Sequence, residues 1–353
     1  MKIRRIIGIV LAAVIMGTGC NVQETKEETT FNTENTGSTV TASDFEIAAT
    51  ETTAAQLFVF NPHVYSPKIA EWIPEEYWDS FYNLCDALRE GKTEFECSSI
   101  EAYAWCTDMS VLCNYFPAAA TRIEAVSDDG SDSFADGIGR ISYNIPVEEY
   151  IKRQSDFESL IAGILNSCIE SNDNEYERAL KLYLYIADNY EYDDDIDYED
   201  NFVYHTFTTG KGMCVNFASV YAYLLLQAGI DAVPVSVFEE YICHSWTYAV
   251  INGKGYHMDV TWALKDSYEG NDYIYLDYFM MSDQERNIDG CPVDNLAVSL
   301  LPEYWVNRTG LSFKASDSHY NLRDFCHFDY LDEENKIVHC TDMSDEKHEF
   351  SYK

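Results

Sequence analysis

Hydrophobic and polar positions change rhythm several times along this 353-residue chain, and each change marks an expected element. Ser66-Pro67 reads as a helix start, and aromatic and aliphatic positions at helical spacing follow from Ile69 to Leu88, closed by Gly91. A second helical run is expected from Ser99 to Tyr115, stopped by Pro117. Short strand patterns follow at Arg122–Val126 and Gly139–Ile145, separated by the polar loop SDDGSDSFADG. Helical spacing returns over Val147–Ile169 and over Glu175–Tyr190, the latter behind the cap residues Asp173 and Asn174. No internal repeat interrupts this order.

The clearest stretch runs from 210 to 262. Cys214 opens a helix with Phe217, Ala218, Tyr221, Ala222, Leu225 and Leu226 on one face, and Gly229 closes it. IDAVPVSVF then reads as a strand, broken once at Pro234. In HSWTYAVINGKGYHMDVTW two alternating strands flank Asn252-Gly253, a strong hairpin signal. Helix, strand and hairpin in this order give an α+β class, with an antiparallel sheet packed on a helix that carries a cysteine.

Composition bounds what such a body can do. The chain is 46% hydrophobic and 14% aromatic, with 27 tyrosines, which is globular composition. Its first residues, MKIRRIIGIVLAAVIMGTGC, have a basic start, an apolar run from Ile6 to Met16 and small residues before Cys20. That is the layout of a signal peptide over 1–19, and the apolar run is too short to span a bilayer. Cys20 after Gly-Thr-Gly resembles a bacterial lipoprotein processing site, although Gly17 stands where leucine is usual. The expectation is lipidation at Cys20, a polar tether over 20–54 and a globular body exported from the cytoplasm and held to a membrane by that lipid alone.

Without residues 1–19 the chain keeps 20 basic and 61 acidic residues, a net charge of −41. Nucleic acid is thereby excluded as a partner, because phosphate contacts need a basic surface. The run DDDIDYED at 193–200 lacks the glycine and terminal glutamate of an EF-hand loop and reads as a solvated acidic loop. The 11 cysteines include no CxxC pair, which gives no support to a zinc ribbon or redox motif. Cys326 and Cys340, in CHFDYLDEENKIVHC, are a candidate disulfide pair. With an odd turn, Cys326 faces Cys340 and His327 faces His339; strand alternation then puts cysteines and histidines on opposite faces, against a shared metal. No metal or cofactor is expected.

A cysteine at a helix entrance, behind the two glycines of GKGMC, has two readings. Free cysteine is often simply buried. A helix N-terminus also carries partial positive charge, which favours a thiolate. A nucleophilic cysteine needs a base and a group to orient that base. If Asn252-Gly253 is a two-residue turn, Ile251 pairs with Lys254, His244 with Thr261, and Asp259 sits opposite Trp246. His244 and Asp259 then share a face as a diagonal pair, about 7–8 Å apart at the backbone. His257 points with Asp259 and is a rival base, while Cys243 faces the other way and reads as structural.

GKGMCVNFASVYAYLLLQAGIDAVPV followed by HSWTYAVINGKGYHMDVTW resembles the transglutaminase-like superfamily. That family shows Gly-x-Cys opening a helix, His before a small residue and Trp, and Asp-x-Thr after the next strand. The resemblance covers about residues 175–285, including YFMMSDQE, and departs at Val260, where proline is found. It implies a papain-like core with Cys214 as nucleophile, His244 rather than His257 as base and Asp259 as the orienting acid. It further implies acyl transfer through a thioester on a peptide or protein substrate. Gly212 would let a substrate chain approach closely, first-turn N–H groups would hold an oxyanion, and Trp246 and Trp262 would partly wall the site. Around this core (151–290), residues 55–150 read as a helical and strand extension and 291–353 as a β-rich extension of the same body. Hydrolysis of peptide or isopeptide amides is the expected reaction. Protein crosslinking, and a non-catalytic binding module, are the alternatives.

Overall fold

The computed structural model describes residues 57–126, 132–194, 202–265, 273–323 and 327–353. Cys20 and the tether, most of the acidic run at 193–200, and Cys326 lie outside the described residues. Residues 56–353 form one unit, so the helical extension, the core and the C-terminal segment belong to a single body.

The first expected helix is two. Ser66 caps α1 (Pro67–Ala70), and the chain breaks before α2 (Glu75–Arg89) because Pro74 stands at its N-cap. β1 (Glu94–Glu96) follows. The second expected helix also divides, into α3 (Ile100–Cys106) and α4 (Met109–Tyr115), because Ser99 and Asp108 each accept a first-turn N–H as caps. β2 (Ile123–Ala125), β3 (Phe134–Ala135) and β4 (Ile138–Tyr143) complete a small sheet ordered β1-β4-β2, with β3 also on β4. α5 (Val147–Cys168) and α6 (Glu175–Asn189) lie where the periodicity places them, and Asn174 and Glu177 close a capping box on α6.

The next elements build the site. β5 (Glu191–Tyr192) pairs parallel with β6 (Lys211–Gly212) across the intervening α7 (Phe202–Thr209), and α8 (Cys214–Gln227) starts directly after β6. α8 packs on β7 (Ala232–Glu239) and β8 (Ile242–Ile251), and Thr247 Oγ1 donates to the Ala218 carbonyl at 2.8 Å. Tyr221 Oη donates to Ala179 O at 2.8 Å and so ties α8 to α6. β9 (Lys254–Met258) closes an antiparallel sheet ordered β7-β8-β9. The hairpin turn is the expected one: Ile251 pairs with Lys254, and Asn252 (φ 51°) and Gly253 (φ 74°) both take the left-handed region that a type I′ turn requires.

Two sequence expectations fail in this sheet. Pro234 does not break β7, which is continuous from Ala232 to Glu239; it pairs with Thr247, and β7 is the edge strand of that ladder, where a missing N–H is tolerated. The hairpin register stops at Met258 rather than reaching Thr261. Asp259 N donates to Tyr278 O at 2.9 Å and residues Thr261–Ala263 turn into a 3₁₀ helix, so His244 has no Thr261 partner.

Beyond the sheet come α9 (Asp283–Ile288) and an antiparallel sheet of β10 (His327–Asp332), β11 (Ile337–Thr341) and β12 (Lys347–Ser351). A bulge between Phe328 and Tyr330 sets its register: Cys340 faces Phe328 and His339 faces Tyr330, not His327. The architecture is α+β with antiparallel sheets, and α8 is the buried helix at its centre.

Candidate active site

α8 is buried almost throughout, but its first residue, Cys214, stays partly exposed. Asn216 fixes this helix start. Its Oδ1 accepts the Met213 N–H at 3.2 Å, and its Nδ2 donates to Thr206 Oγ1 at 2.8 Å. Gly212 is buried against the same two side chains. A Cβ there would lie 2.7 Å from Asn216 Cβ and 2.9 Å from Thr206 Oγ1. The glycine is therefore needed for close packing of β6, α7 and α8. The space above it is filled, which corrects the expectation that Gly212 admits a substrate chain.

His244 projects from β8 and is 5% exposed. Its Nε2 meets Asp259 Oδ2 at 2.6 Å, and Cys214 lies near enough to act on the same ring. Burial opposes charge on this imidazole. The Asp259 carboxylate and the hydrogen bonds to Asp259 and Cys214 outweigh burial and push its pKa up to about 9. Asp259 is fully buried, and burial alone would raise its pKa; the His244 and Arg286 charges reverse this and hold it below the usual carboxylate range. Its Oδ1 accepts the Thr261 N–H at 3.2 Å. The abrupt turn after Met258 thus supplies both the carboxylate and a backbone group that orients it.

Trp262 stacks face to face on the His244 ring, with centroids 4.6 Å apart and planes 11° apart. It is partly buried and covers one face of that imidazole. Trp246 forms no such wall: it is 1% exposed, and its Nε1 donates to His257 Nδ1 at 2.9 Å. It shares the strand face of His244, but the guanidinium of Arg286 covers its ring at 4.4 Å and it is left no open face for substrate. His257 is also spoken for, since its Nε2 meets Asp283 Oδ1 at 3.0 Å and burial holds its pKa below the ordinary histidine value. The two histidines thus differ in their partners: His244 is bonded to Asp259, and His257 lies between Trp246 and Asp283 in the interior. Cys243 is exposed rather than structural in the core.

Sequence reasoning missed Arg286. From α9 its Nη2 donates to Asp259 Oδ2 at 2.7 Å, and the guanidinium lies between Trp246 and Trp262, 4.4 and 4.5 Å from their ring centroids. No local signal marks it, because its burial depends on α9 folding back against the hairpin.

Residues 162–268 match the model of the transglutaminase-like superfamily, and the chain carries a domain of that superfamily there. Cys214, His244 and Asp259 all lie within the matched segment, and Arg286 lies outside it. Among solved structures, the chain is similar to a candidate cysteine protease from Cytophaga hutchinsonii, at 23% identity over 31% of this chain and 38% of that one, with a TM-score of 0.26. It is also similar to a protein described as a TGase, at 19% identity over 36% of each chain, with a TM-score of 0.27. The chain spans little more than a third of either structure. No curated protein matches the chain.

Proposed function

We propose that the protein is a thiol-dependent hydrolase of peptide or isopeptide amides, working through an acyl thioester on Cys214. One observation carries this reading: a buried imidazole bonded to a buried carboxylate lies close to a partly exposed cysteine at a helix start. The Cys214 sulfur attacks the amide carbonyl, an S–C bond forms, and the negative charge gathers on oxygen beside the first-turn N–H groups of α8. The proton on His244 passes to the leaving amine as the C–N bond breaks. Water then attacks the thioester, with His244 taking its proton, and the S–C bond breaks to free the acid and the thiol. Asp259 holds the imidazole in the orientation that both transfers need.

The same three residues would serve transfer to an amine. Hydrolysis is preferred because Trp262 covers one face of His244 while Trp246, buried, adds no second wall against water. The proposal includes export and anchoring through a lipid on Cys20, on the strength of the basic, apolar and small-residue sequence before it. A peptide bearing a thiol-reactive electrophile tests the site. Labelling is expected on Cys214 at neutral pH and is expected to fall sharply in His244→Gln. Equal labelling of both proteins would remove the base from the mechanism and leave the binding-module alternative standing.

A further inference from the structure

Arg286 is 0% exposed, yet it carries a permanent charge. A buried cation is costly unless its surroundings compensate it. Here Asp259 Oδ2 accepts from Nη2 at 2.7 Å, Asp289 Oδ2 lies 3.4 Å from Nη1, and two indoles cover the flat faces. Asp289 in turn is bonded by Arg323, which also donates to Glu285 O at 2.9 Å. The oxygen that receives Arg286 is the same Oδ2 that lies 2.6 Å from His244 Nε2. Two cationic partners therefore share one carboxylate oxygen at the back of the site.

We propose that Arg286 is a positioning residue for this site: it fixes the Asp259 carboxylate and, by sharing its oxygen, limits how firmly Asp259 holds the His244 imidazolium. This rests on the reading of Cys214, His244 and Asp259 as a catalytic set. It makes α9, outside the segment shared with the superfamily, part of the working apparatus. The balance matters chemically, because a base held too tightly in its charged form gives up its proton poorly to a leaving amine. Besides His244, the titratable groups acting on Asp259 and the guanidinium are His257, Cys291, Asp289, Tyr183 and Tyr278. Asp289 is the acidic one held by Arg286 itself.

The test follows the His244 ring by NMR in full-length protein carrying ¹³C-labelled histidine, with His244→Gln identifying its signal among the 8 histidines. In Arg286→Met the volume between the indoles is kept and the charge is lost. The His244 midpoint is expected to rise by about half a unit or more, and Arg286→Lys is expected to leave it near the wild-type value. Asp289→Asn keeps Arg286 and the size of its neighbour, serves as the second variant should Arg286→Met not fold, and is expected to lower the midpoint, since the guanidinium then acts on Asp259 alone. An unchanged or oppositely moved midpoint in Arg286→Met or in Asp289→Asn overturns the proposal, for a merely structural arginine would change melting temperature and not this titration. Cys214→Ala keeps the two failures apart. If it leaves the wild-type His244 midpoint in place, the pairing of thiol and imidazole is wrong, whatever Arg286 does.

Discussion

Asp259 joins two demands in one side chain: it orients a base and it neutralises a buried guanidinium. Asp259→Asn is therefore expected to fail twice. Turnover should drop by roughly a thousandfold or more, as in other triads that lose this charge. Stability should also fall by about 3–5 kcal/mol, because Arg286 is left buried without its partner; kinetics and chemical denaturation of the same preparation check both. Full turnover in a destabilised variant would mean that another acid orients His244. The pH dependence has a definite sign. The His244 pKa rises from 6.5 to about 9 on folding, so its pairing stabilises fully below 6.5 and the contribution is lost as pH rises through 9. The melting-temperature gap between wild type and His244→Gln should be widest at the acid end of that window and close at the alkaline end. A gap that widens with pH would contradict the raised value.

At the scale of elements, much of the site was legible in the sequence because it is local. The helix behind GKGMC and the Asn252-Gly253 turn depend on neighbours a few residues away, and short-range rules read them; His244 and Asp259 do meet, but through the turn after Met258 and not through the expected register. What escaped depends on contacts from far along the chain. Met258 ends the ladder because residues 278 and 281 pair with the backbone at 259 and 257, and no alternation in HSWTYAVINGKGYHMDVTW announces this. α7, in FVYHTFTT, was not expected, and so the role of Gly212 was misread: its backbone is packed by Thr206 and Asn216, not kept open. Gly212→Ala should consequently cost about 1–3 kcal/mol and slow Cys214 labelling, because the added methyl displaces the asparagine that fixes the start of α8. Unchanged denaturation midpoint and labelling rate would show that the helix start tolerates the displacement.

Across the whole molecule, charge is the dominant feature, at −38 with histidines neutral. The 61 acidic residues outnumber the 23 basic ones by 38, so the folded body repels itself. Raising salt from about 0.01 to 0.3 M shortens the screening length from about 30 Å to well under 10 Å and should raise the melting temperature by about 2–4 °C or more. A fall with salt would mean that the surface ion pairs matter more than the net repulsion. The same charge argues for substrates that are not strongly anionic, a preference that the site itself, lined by indole and imidazole, does not oppose.

In the proposed reaction Cys214 forms an acyl thioester that water resolves. Mass spectrometry of a peptide mixture incubated with wild type and with Cys214→Ala, each with and without a saturating primary amine, addresses it most directly. Hydrolysed products are expected from the wild type alone, with an acyl adduct on Cys214 during turnover and only minor amine-linked product. Wild-type products made mostly of amine conjugates would contradict the hydrolase, and identical peptide spectra from both proteins would contradict the enzyme.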